Sequence, residues 1–138
     1  MDEWLRQHAL TNQQSSLTRT YVTCEGDVVR GYFSVAPSSI KFKNVPASLQ
    51  AALPGVRYPI PVILLARLAV DERFHRKGIG ASLLYEALEK SLQASKAIGG
   101  VAVLVDALDD EARTCYEKYD FEQSPTDPLQ LLLLMGDI

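Results

Sequence analysis

The 138-residue sequence predicts a layered α/β fold, in which a mixed, mostly antiparallel sheet is flanked by helices. Three observations carry that expectation. Residues 19–24 and 28–35 have strand character and are separated by Glu25-Gly26-Asp27, a turn signal that reads as an antiparallel hairpin. From Val62 onward the pattern becomes strand, helix, strand, helix, strand, over residues 62–70, 77–95, 101–105, 110–118 and 130–135. The hydrophobic content of 47% suffices for one core, and the length leaves no room for a second domain, so residues 1–138 are expected to form a single one.

The remaining elements follow from local pattern. Residues 2–10 fit an amphipathic helix with Trp4, Leu5 and Ala9 inward, and residues 12–16 read as a polar loop. A short strand is expected at 40–42. Four prolines between Pro46 and Pro61 allow only a short helix near 47–52 and then an irregular crossing. Helix 77–95 aligns Leu83, Leu84, Ala87, Leu88 and Leu92 on one stripe, with Tyr85, Glu86, Glu89, Lys90 and Gln93 opposite. Arg67 interrupts the longest apolar run, so nothing approaches the roughly 20 residues of a membrane span, and no signal-peptide pattern opens the chain. Cys24 and Cys115 read as reduced, buried thiols of a cytoplasmic protein, paired neither in a disulfide nor around a metal.

The chemistry concentrates where strand 62–70 passes into the next helix. In His75-Arg76-Lys77-Gly78-Ile79-Gly80-Ala81 the glycines let backbone approach a ligand, consecutive N–H groups can converge on phosphate oxygens, and Arg76 and Lys77 add positive charge. The third glycine of a dinucleotide fingerprint and the Gly-Lys-Ser/Thr of a P-loop are both absent. A helix start with ordinary surface charges is the alternative. Further on, Asp109, Ala112 and Tyr116 are spaced along one helix; Asp109 also suits an N-cap, with Asp110 and Glu111 in the first turn.

The turn resembles the acetyl-CoA-binding motif of GNAT-fold N-acetyltransferases, Gln/Arg-x-x-Gly-x-Gly/Ala, with His75, Gly78 and Gly80 at the marked places and His75 departing from the pattern. Asp109-x-x-Ala112-x-x-x-Tyr116 is similar to that family's Asn-x-x-Ala-x-x-x-Tyr, and Tyr119-Asp120-Phe121 stands where Gly-Phe is common. Asp2-Glu3-Trp4-Leu5, Pro59-Ile60-Pro61-Val62, Ala66-Arg67-Leu68-Ala69-Val70-Asp71 and Ser124-Pro125-Thr126-Asp127-Pro128 resemble the acetyltransferase toxins of bacterial type II toxin–antitoxin systems, so the likeness spans most of the chain.

The resemblance implies a GNAT fold with acetyl-CoA as cosubstrate, held at Leu68, Ala69, Val70, His75, Arg76, Lys77, Gly78, Ile79, Gly80, Ala81, Asp109 and Ala112. It gives Tyr116 the catalytic part, protonating the departing thiolate, and gives the backbone N–H groups at Leu68-Ala69-Val70 the task of polarising the thioester carbonyl. It implies acetylation of the amino group of an aminoacyl-tRNA, a block to translation, and a ribbon-helix-helix antitoxin as partner; relatives are often homodimers. Relatives usually place a strand and a helix before Asp-Glu-Trp-Leu, whereas Met1 stands directly in front of it here. A sheet lacking its first strand, with an exposed or paired edge, is the expectation.

Net charge is −3, not the basic balance of a nucleic-acid binder, but it is unevenly spread. Residues 1–60 hold six Lys/Arg against four Asp/Glu, the rest eight against thirteen. Arg19, Arg30, Lys41, Lys43 and Arg57 are therefore candidate substrate-binding residues, able to join Arg76 and Lys77 around a cleft, with scattered solvated charge as the alternative. No general base is evident, which favours an α-amine acceptor, whose reference pKa is about 7.7–8.0, over a lysine near 10.4. A GNAT acting on a small amine or a protein N-terminus stays open. So does a shortened, non-catalytic paralogue that binds acetyl-CoA or an antitoxin, motivated by the short N-terminus, His75, Asp109 and Asp120.

Overall fold

The expected hairpin is present, and it is longer than the turn signal suggests. In the structure, a computed structural model that describes residues 8–14, 17–53, 59–75 and 78–138, β1 (Arg19–Glu25) and β2 (Val28–Ile40) pair antiparallel around Gly26, whose φ of 62° suits glycine. The register runs from Arg19↔Val35 to Glu25↔Val28 and shifts between Thr23 and Cys24, leaving Arg30 as the extra residue of a β-bulge. β2 continues past Val35 and ends at Ile40, and in place of the separate strand expected at 40–42 the chain turns into the 3₁₀ segment Phe42–Asn44. Pro37 is tolerated there because β1's ladder has already ended at Val35.

The other elements are α1 (Leu10–Gln14), α2 (Ala47–Gln50), β3 (Ile60–Val70), α3 (Ile79–Ile98), β4 (Ala102–Asp106), α4 (Asp110–Glu117), β5 (Glu122–Gln123) and β6 (Gln130–Leu134). The six strands form one mostly antiparallel sheet, ordered β1-β2-β3-β4-β6-β5, with helices flanking it. Two departures from expectation are local. Part of the polar segment read as a loop is helix α1, because Gln13 finds a partner in the Thr20 N–H, 3.0 Å from its Oε1. Both cysteines are free but exposed rather than buried: Cys24 shares the outward parity of Val22 on β1, and no residue of α4 is fully buried. The inward residues expected of helix 2–10, Trp4 and Leu5, lie outside the described residues, while Ala9 is buried. Among the described residues no helix is long and apolar enough to cross a membrane.

The chain divides into two units, Met1–Ala36 with Leu65–Ser91, and Pro37–Leu64 with Leu92–Ile138. In the first, Tyr32 and Phe33 are fully buried, Tyr21 stacks on Phe33 at 5.0 Å, and Lys90 Nζ lies 5.3 Å over the Tyr21 ring. Gly31 is required by a close approach: a Cβ there would stand 2.7 Å from Leu83 Cδ1 on α3 and 2.8 Å from the Ala69 carbonyl oxygen on β3. The buried face of α3 is Leu83, Leu84, Ala87 and Ser91, and Ser91 Oγ satisfies itself on the Ala87 carbonyl at 2.7 Å.

In the second unit, Ile40, Val45, Leu49, Ile60, Val62, Ala102, Leu104 and Leu132 form one core. Each is nearly inaccessible, and losing a leucine such as Leu132 to alanine there costs about 2–5 kcal/mol. β4 and β6 pair antiparallel from Ala102↔Leu134 to Asp106↔Gln130, and the two residues of β5 add to β6's far side. Gly99 and Gly100, at φ of 90° and 122°, stop α3 and turn the chain into β4.

Candidate active site

In the first unit the connection from β3 to α3 is tied down residue by residue. Asp71 N–H donates to the Arg30 carbonyl at 2.8 Å. The Asp71 carboxylate caps the 3₁₀ turn Glu72–Phe74, accepting from Arg73 N–H (3.0 Å), Nε (3.0 Å) and Nη2 (3.1 Å). That guanidinium and the Arg73 backbone N–H hold the Asp71 carboxyl down at about 2. His75 Nε2 lies 2.8 Å from the Val70 carbonyl oxygen, so one ring nitrogen is committed to the strand end and only Nδ1 is left for a ligand. Gly78 adopts φ +76°, and the first helical hydrogen bond runs from Ser82 N–H to the Gly78 carbonyl at 3.1 Å.

The first turn of α3 contains no acidic side chain, and Gly78 has no side chain to cap it. Its leading N–H groups at Ile79, Gly80 and Ala81 lack intrahelical acceptors and carry the positive end of a 20-residue helix. A Cβ added at Gly80 would meet only Val70 Cγ2, at 3.8 Å, and one at Gly78 nothing within 4 Å, so the backbone is open to a ligand. The arrangement fits a pyrophosphate. Leu68, Ala69 and Val70, half-buried at the end of β3, adjoin this turn. Arg76 and Lys77 lie outside the described residues.

In the second unit, Asp109 begins α4 as its N-cap, with Oδ1 accepting from Ala112 N–H at 2.9 Å. Asp110 and Glu111 occupy the first turn, where a carboxylate suits the dipole, and Asp110 also pairs with Arg113 at 3.1 Å. The other end explains how Tyr116 is held. Phe121 N–H donates to the Tyr116 carbonyl (3.4 Å) and Asp120 N–H to the Glu117 carbonyl (3.1 Å), the two bonds of a Schellman motif. Asp120 is its left-handed residue at φ 71°, the conformation glycine would supply more cheaply.

The motif's hydrophobic contact is the Tyr116 ring against Phe121, centroids 5.4 Å apart and tilted by 59°. Burial pushes the Tyr116 phenol above the ordinary tyrosine range, and neighbouring Cys115 acts in the same direction. A phenol kept protonated is what a proton donor to a thiolate requires.

The cationic candidates divide. Lys41 and Lys43 line a cleft of about 450 Å³ together with Asn44, Pro59, Thr126 and Gln130. Arg19 is exposed at the start of β1, and Arg30, on the bulge, gives Nη2 to Thr23 Oγ1 at 3.2 Å. Arg57 lies outside the described residues. Sequence reasoning missed Phe121 as the partner of Tyr116, although Tyr119-Asp120-Phe121 was the signal. It also missed Asn44 and Gln130, for which no local pattern exists.

Comparison with known proteins agrees with this chemistry. Residues 17–123 match the family model described as an acetyltransferase (GNAT) domain. The chain is 44% identical over 137 residues to a tRNA-acetylating toxin of Mycobacterium tuberculosis, covering 99% of this chain and 81% of that protein. It is similar to the solved structure of AtaT complexed with acetyl-methionyl-tRNAfMet, with 26% identity, TM-score 0.87 and coverage of 96% and 80% of the two chains. It is also similar to a mutant AtaT toxin bound to the C-terminus of the antitoxin AtaR and acetyl-CoA, with 25% identity, TM-score 0.77 and coverage of 96% and 76%.

Proposed function

The chain belongs to the GNAT acetyltransferase family, and on that premise we propose that it is a toxin that moves the acetyl group of acetyl-CoA onto the α-amino group of an aminoacyl-tRNA. The observation that carries this reading is the 44% identity, over 99% of the chain, to a tRNA-acetylating toxin. The likeness to toxin structures holding acetyl-methionyl-tRNA, acetyl-CoA and an antitoxin supports the same cosubstrate, acceptor and kind of partner. A ribbon-helix-helix antitoxin, a cytoplasmic location and a single acetyltransferase domain go with it.

The chain's residues take the following parts. The N–H groups at Ile79, Gly80 and Ala81 hold the pyrophosphate, with Arg76 and Lys77 adding charge. Backbone N–H groups at Leu68-Ala69-Val70 draw electron density from the thioester carbonyl. The neutral amine nitrogen attacks that carbon, the carbon–sulfur bond breaks, and Tyr116 gives its proton to the departing sulfur. The amine's own proton passes to an ordered water, sufficient for an α-amine of reference pKa about 7.7–8.0. Asp109 positions α4 through its cap, and Ala112, at the capped amide, keeps the helix face small.

The test is incubation of the protein with acetyl-CoA and a mixed pool of charged tRNA, followed by mass spectrometry for N-acetylated aminoacyl-adenosine. A product that vanishes with Tyr116→Phe establishes the reaction and names the amino acid. Turnover only on small amines or peptide N-termini overturns the acceptor, and coenzyme binding without any turnover overturns the enzyme.

A further inference from the structure

We propose that the cleft carrying Lys41 and Lys43 is a binding site for the phosphodiester backbone of the acceptor RNA, an inference that rests on the aminoacyl-tRNA reading above. The cleft lies wholly within the second unit. It draws on two stretches with no part in coenzyme binding or proton transfer: Pro59 of Pro59-Ile60-Pro61 and Thr126 of Ser124-Pro125-Thr126-Asp127-Pro128.

The local structure explains why two cations face one space. Residues Phe42–Asn44 make one 3₁₀ turn in which Phe42 packs against the core, leaving Lys41 and Lys43 on either side of it exposed. Gln50 fixes this turn from behind, its Nε2 donating to the Phe42 carbonyl (3.0 Å) and the Val45 carbonyl (2.9 Å). Thr126 Oγ1 donates to Asn44 Oδ1 at 2.8 Å, which leaves the Asn44 amide N–H groups as donors. Thr126 is held in turn by Ser124, itself buried, whose Oγ accepts the Thr126 N–H at 3.3 Å.

Charge completes the case. Among the described residues neither lysine forms an ion pair, so no described carboxylate competes directly with a ligand for either ammonium group. Two carboxylates neighbour the lining: Asp127 Oδ1 accepts the Leu129 N–H at 2.9 Å, and Asp106 Oδ1 accepts from Gln130 Nε2 at 3.5 Å. Lysine ammonium, hydroxyl and carboxamide donors on one cleft are the groups with which proteins hold nucleic-acid phosphates, positioning the strand without reading its bases. The apolar part of the lining is Ile40, which is buried, and the exposed Pro59.

The test compares wild type with the Lys41→Gln/Lys43→Gln double variant, using charged tRNA at a series of salt concentrations and acetyl-CoA separately. The KM for charged tRNA should rise about tenfold, and the slope of log KM against log salt should flatten by about 1.4–1.8, two phosphate contacts' worth. The KM for acetyl-CoA should not move, and Lys41→Arg/Lys43→Arg should restore tRNA binding. An unchanged tRNA KM and slope in the double variant overturns the inference while the acceptor reading stands; if antitoxin affinity falls instead, the cleft belongs to the antitoxin. A wild-type protein active on other amines but on no charged tRNA overturns the acceptor reading, and the cleft inference with it.

Discussion

Helices α3 and α4 begin in opposite ways. α4 satisfies one of its own N-terminal donors, the Ala112 N–H, with the Asp109 side chain, and sets two further carboxylates in its first turn. α3 opens on Gly78 in a left-handed conformation, which has no side chain to cap the helix, and has no acid in its first turn. The same four orphan donors exist in both cases. The caps differ: an aspartate side chain on α4, and on α3 a glycine that has none. Their far ends differ as well: α3 stops on two glycines, whereas α4 stops on an aspartate and the aromatic pair Tyr116–Phe121.

The sharpest way to break this contrast is at Tyr116. Tyr116→Phe keeps the ring contact with Phe121 and removes the proton, so kcat should fall at least about 100-fold with the KM for acetyl-CoA within twofold. Since burial raises the phenol's pKa, its protonated form is favoured in the fold. Rate and stability linked to Tyr116 are then fully present below its unfolded pKa near 10 and are lost only as pH rises above that value, so an alkaline limb near pH 8 in a kcat profile would contradict the assignment.

Giving α3 the acid it lacks is the next step. Ala81→Glu should raise the KM for acetyl-CoA about tenfold by setting a carboxylate against the phosphate, with no loss of thermal stability, because an acid in a first turn suits the dipole. Removing the cap that α4 has should do the reverse. Asp109→Ala should cost about 1 kcal/mol in chemical denaturation, with little change in the KM for acetyl-CoA. The smallest effect is expected at the other end of α4, where Asp120→Gly relieves the left-handed strain and should stabilise by about 0.5–1 kcal/mol.

What the sequence disclosed, and what it hid, follows from how far apart the cooperating residues are. Gly78, Gly80, Asp109, Ala112 and Tyr116 lie within a few positions of one turn or one helix, so their resemblance to a family's motifs can be read from short stretches of sequence. Asp120 stood out in the same way, occupying the place where Gly-Phe is common in the resembled family. The cleft joins residues 41–44 to residues 126–130, and only folding brings them together. Faces were harder than elements: Cys24 falls in the expected strand, yet it lies beside the bulge with outward parity that composition does not reveal. Weak local preference also yielded to tertiary partners, as when Gln13 became helical while its side chain took the Thr20 N–H.

Gly31 has a consequence for genetics. Every single-base change away from glycine that keeps a residue there adds a Cβ, and the Ala69 carbonyl oxygen, 2.8 Å from where that atom would sit, belongs to the strand end that leads into the coenzyme turn. Cells forced to express an active toxin survive by inactivating it. Among such survivors, missense changes at codon 31 should recur alongside those at Tyr116, so that a position touching neither substrate is found by selection as readily as the proton donor.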